Sequence, residues 1–241
     1  MISKLSNIIT FYKDKNGINL FIASFFLAIS RIMKIAIMIV PLQIVLMMGS
    51  NQVPKKIENL LPDDFSSDIT RLLIIIITAF VLLLVTYVFV SYKTVSLRRK
   101  SLDKVFIIQK EFIIKTNKGK QVFAKLLDIQ SDVILNIICL TIILLFNSTY
   151  FLFCLALVIF SYYLFESIFL QKITKNVEFI TELYSLAIYL LMVSFLAYSA
   201  YANSSNLLHL VPIFFVSRMI VISMPRVLRN RLTLKKLTSK L

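Results

Sequence analysis

Three cationic side chains stand inside long apolar runs: Arg31, Lys34 and Arg218. A charge in such a run is expensive unless it faces protein, water or the headgroup layer. Counting back from Gly49, the outer end of their run, puts Arg31 and Lys34 in the inner leaflet. Two readings are open for this pair. Either they snorkel to the inner headgroups, or they line a polar cavity. Arg218 lies near the middle of the last apolar run and has the same choice between a structural role and a polar-pathway or ligand role. The one acid inside an apolar run is Glu166, whose depth differs from that of Arg218 by a turn or more.

Other reactive residue types are sparse. There is one histidine, His209, at the outer end of its run, and there are two cysteines, Cys139 and Cys154, inside apolar segments. They compose no zinc or haem ligand set, and the cysteines read as small apolar fillers. No Ser–His–Asp arrangement can be drawn on one side of a membrane. Asp63 and Asp64 follow Pro62 and read as a helix cap before the next apolar run. Glycine occurs only at Gly17, Gly49 and Gly119. A Walker A loop needs two closely spaced glycines and a dinucleotide fingerprint three, so neither phosphate cradle can be written. The expectation is a non-enzymatic chain with no cofactor and no metal.

The elements that position these residues are membrane helices. Of the 241 residues, 59% are hydrophobic and 16% charged, and the mean hydropathy is +0.85. A soluble domain of this size cannot bury that much apolar surface, and the long continuous runs are those of helices rather than of barrel strands. Six spans are expected within one transmembrane domain over 1–241, at about 18–48, 72–90, 133–147, 150–170, 183–201 and 207–225. The first would be roughly 45 Å long against a core of ~30 Å, so it should tilt, kink or project. Pro41 is expected to kink its outer half.

Charge sets the orientation. The formal net charge of +15 is concentrated in alternate links. Residues 93–132 hold ten Lys/Arg against four acids, and the tail 226–241 is basic with no acid. The positive-inside rule then puts both termini and the 93–132 segment in the cytoplasm of a bacterial inner (plasma) membrane. The basic excess is read as attraction to anionic lipid, with no specific nucleic acid. Within 93–132, Leu97, Val105, Ile108, Phe112 and then Val122, Phe123, Leu126 and Leu127 recur at helical spacing, with Asn117 to Lys120 as a turn signal. This predicts a cytoplasmic helical hairpin between spans two and three. Its Phe106, Phe112 and Phe123 must pack on each other, on a second copy, or on a partner.

The organisation resembles the transmembrane domain of an ABC exporter, most closely the type I secretion branch. Four stretches carry the resemblance: Ile39 to Met47 around Pro41, Ser96 to Phe106, Phe123 to Val133, and Asn206 to Ile220 around Arg218. The chain departs from that family in the dozen or so residues between spans four and five, too few for its second intracellular arm, and in lacking a nucleotide-binding domain. The resemblance therefore implies a non-catalytic all-α membrane subunit. It would work as a homo-oligomer, or with a cytoplasmic partner such as a separate ATPase or effector docked on residues 94–127. The alternatives are a membrane sensor or anchor in a bacterial defence or signalling system, and a small channel or carrier. The few polar residues in the spans weigh against the last.

Overall fold

The computed structural model describes residues 2–50, 69–112, 116–164, 177–202 and 207–239, with continuous side-chain detail over 18–45, 73–100, 121–163, 181–199 and 210–234. All of its elements are helices: α1 (Ile2–Ser50), α2 (Ile69–Phe112), α3 (Thr116–Phe146), α4 (Ser148–Leu164), α5 (Val177–Ala202) and α6 (Leu207–Ser239). A helix satisfies its backbone donors and acceptors within itself, which is what an apolar run needs in lipid.

Five helices are long and apolar enough to cross a membrane, over Ile18–Val45, Leu73–Lys100, Gln121–Phe146, Thr181–Ser199 and Leu210–Leu234. The chain is thus a multi-pass membrane protein. Helix α4 is a shorter apolar helix, Ser148–Tyr163. It is joined to α3 through Asn147 alone, whose side-chain carbonyl accepts the backbone N–H of Tyr150 at 2.9 Å. This is an N-cap, which satisfies one of the orphan donors of the α4 start. The Asn147 amide also donates to Ser199 Oγ at 3.0 Å, tying the α3–α4 corner to α5.

The most extensive contact is between α3 and α6, followed by α1 with α2 and α1 with α3. Helix α5 packs on α6, and α4 on α3 and α5. The main core joins Ala28, Leu135, Ile143, Tyr150, Met192 and Ile220. Cys139 and Cys154 are buried free thiols in it, the apolar filling their setting suggested. Phe153 and Phe195 stack with ring centroids 4.0 Å apart where α4 meets α5.

Three boundaries differ from those read in the sequence. The turn placed at 117–120 is helical, within α3. Asn and Gly cost a helix only about 1 kcal/mol or less each, and here they sit in its first turn. Helix α3 is one element from Thr116 to Phe146, so the span placed at 133–147 is its second half. Helix α6 does not stop at 225 but runs through the basic segment to Ser239. There Leu234 is buried with Ala23, Val122, Phe123 and Leu127 in a second core. Packing on α1 and α3 thus keeps as helix what charge alone marks as a tail.

Candidate functional site

The site is a polar seam along α3. Lys125, Asp128, Asp132 and Asn136 follow one another at three- or four-residue spacing, which stacks them on one helix face. Ser223, Arg226 and Asn230 do the same on α6. The two rows meet in antiparallel register. Ser223 Oγ donates to Asn136 Oδ1, Arg226 donates to Asp132 at 3.3 Å, and Lys125 Nζ donates to Asn230 Oδ1 at 2.9 Å.

Helix α1 closes the seam from the other side. Arg31 donates to Asp132 Oδ1 at 2.5 Å, to Asp128 Oδ1 at 3.3 Å and to Ser131 Oγ at 3.4 Å. Nearer the α1 start, Ser24 Oγ is 3.4 Å from both the Leu127 carbonyl and Gln130 Oε1. Contacts that advance together along α1 and α3 make these helices run parallel, while α6 runs against them. Alternating membrane spans have that relative direction.

The charges balance within the cluster. Two guanidinium groups, Arg31 and Arg226, face two carboxylates, Asp128 and Asp132. The Asp132 side chain is 0% exposed, whereas those of Arg31, Asp128 and Arg226 keep 22%, 28% and 35%. Asp132 is therefore the centre, reached by one arginine from each neighbouring helix. Its Oδ2 has no hydrogen-bond partner among the described residues. A buried carboxylate of this kind is tolerated because opposite charge compensates its lost hydration. What the arrangement does physically is fix the register of three helices. Among the described residues no group of His, Cys, Asp and Glu is composed to hold a metal ion.

The structure separates the residues that the sequence singled out. Arg31 belongs to the seam and is half-buried against carboxylates. Lys34 is exposed and takes no part in the seam. Arg218 is exposed in a different place, a cleft between α5 and α6. Phe123 is buried within its own chain, against α1 and α6, which removes it from any docking surface. Phe106 and Phe112 lie on α2 with side chains outside the described residues, as does that of His209. Glu166, Asp63 and Asp64 fall outside the described residues altogether.

Asp128, Asp132 and Arg226 counted in the sequence only as charges of a loop and a tail. The signal that finds them is the matched helical spacing of polar residues on α3 and α6. Comparison with protein-family models, with characterised proteins and with solved structures gives no match to this chain.

Proposed function

We propose that the chain is a non-catalytic integral membrane subunit with six spans and both termini in the cytoplasm of a bacterial inner membrane. Its transmembrane organisation resembles that of an ABC exporter. The cytoplasmic ends of α2 and α3 form a hairpin that docks a cytoplasmic partner, a separate ATPase or an effector.

The observation that carries this reading is the length of α2. It is one helix of 44 residues, while its uninterrupted apolar run ends at about Val90, ahead of Lys93, Arg98, Arg99 and Lys100. The continuation to Phe112 extends about 33 Å further, too far for a headgroup anchor alone. That part of the sequence holds Phe106 and Phe112, and aromatic residues are enriched where proteins recognise one another. With Phe123 committed to the chain's own core, docking rests on Phe106 and Phe112.

The test is affinity purification of the tagged chain from its native membrane, comparing wild type with Phe106→Asp/Phe112→Asp. The reading expects a stoichiometric cytoplasmic subunit, or a second copy of the chain, to be lost from the variant while membrane insertion stays intact. Retention of the full complex by the variant would remove the docking assignment.

A further inference from the structure

Arg218 poses a problem that Arg31 does not. Both lie inside apolar stretches, Arg218 within Leu210–Leu234. Arg31 is matched by two carboxylates. Arg218 is exposed and has no ion-pair partner among the described residues. An unmatched guanidinium facing hydrocarbon is costly, so something polar must reach it.

The surroundings indicate what. Arg218 lines a cleft of about 530 Å³ between α5 and α6, together with Arg229, Glu182 and the hydroxyl of Ser185. Apolar lining comes from Leu186 and Ile222, themselves 62% and 42% exposed. The α6 residues of the cleft, Arg218, Ile222, Pro225 and Arg229, recur on a different helix face from the seam residues Ser223, Arg226 and Asn230. Its lining carries two guanidinium groups against one carboxylate, a net excess that selects an anion. Arg218 and Arg229 are about 16 Å apart along the helix, so the cleft runs from the basic end of α6 into the apolar region. An occupant must be anionic at one end and apolar along its length. A soluble phosphate meets the first demand only.

We propose that the α5–α6 cleft seats an anionic phospholipid. Its phosphodiester lies toward the Arg229 end, the Arg218 side chain extends along α6 toward the headgroup, and an acyl chain runs over Leu186 and Ile222. Basic clefts between membrane helices hold anionic headgroups through charge-assisted hydrogen bonds.

Native mass spectrometry of the purified full chain in micelles with equal phosphatidylglycerol and phosphatidylcholine tests this. Wild type should retain phosphatidylglycerol in preference by at least about fivefold. The variant Arg218→Gln/Arg229→Gln should bring that preference to about unity. The charge-matched control Lys34→Gln/Arg231→Gln alters two exposed cations outside the cleft, and it should leave the preference unchanged. Equal loss in the control, or full retention in the cleft variant, overturns the proposal. Displacement of the bound lipid by millimolar inorganic phosphate also overturns it, because the occupant is then a soluble anion. Should the cleft variant fail to fold, Glu182→Gln decides. Removing the carboxylate should raise the preference for phosphatidylglycerol, and an unchanged preference contradicts the assignment.

Discussion

Helices α2 and α3 carry stretches of similar length, and the two could hardly differ more in what surrounds them. An 18-residue apolar portion of α2 has a mean hydropathy of 3.0 and is 6% buried inside the protein, while that of α3 has 2.2 and is 39% buried. Of the α2 side chains described over 73–100, only Val90 and Thr94 are buried. Ile74, Leu82, Val85, Val88 and Phe89 face outward. In lipid no hydrophobic force draws one apolar helix to another, so a purely apolar helix stays at the rim. Helix α3 is held in the middle by what makes it less apolar. Its Asp128, Asp132 and Asn136 bond to α1 and α6. Interhelical polar contacts decide position here, and hydropathy alone ranks the helices in the reverse order.

Substitutions can break that contrast, beginning at its centre. Asp132→Ala leaves Arg31 and Arg226 facing each other without a shared carboxylate. Loss of one partner from a buried ion cluster should cost about 3–5 kcal/mol, read as a lower unfolding midpoint in mild detergent. Arg226→Ala keeps the Arg31 contact and should cost less, about 1.5–3 kcal/mol by the same measurement. Asn136→Ala removes a neutral hydrogen bond to Ser223 and should cost about 0.6–1.7 kcal/mol. On α2, Val85→Ala should change stability by about 0.5 kcal/mol or less, since the side chain meets lipid in either form. A substitution on this face of α2 as damaging as Asp132→Ala would mean that the face is packed against protein, and the comparison would fail.

Much of this architecture was legible before the structure. Long apolar runs marked the membrane helices because a bilayer leaves the backbone no alternative. The short link between the spans at 133–147 and 150–170 was visible in the sequence, and the structure adds that the Asn147 side chain caps α4. The seam was not legible from charge counting. Asp132 falls in a segment with ten basic residues and Arg226 in one with no acid, so each looked like part of a solvated end. Their pairing is a tertiary fact, set by the register of α6 against α3. Helical spacing showed that Phe123 must pack somewhere; only the contact with Leu234 of α6 and Ala23 of α1 shows where. Arg218 was recognised as costly, yet the cleft beside it depends on how α5 leans on α6, which no local pattern encodes.

The central claim is that Arg31 and Asp132 act as one unit that fixes α1, α3 and α6 together. A double-mutant cycle with Arg31→Ala and Asp132→Ala, measured by denaturant unfolding of the purified chain in micelles, tests it most directly. The predicted coupling is about 1–3 kcal/mol, with the double variant less damaged than the sum of the two single ones. Additivity to within about 0.3 kcal/mol would show that the two side chains do not depend on each other and would contradict the account.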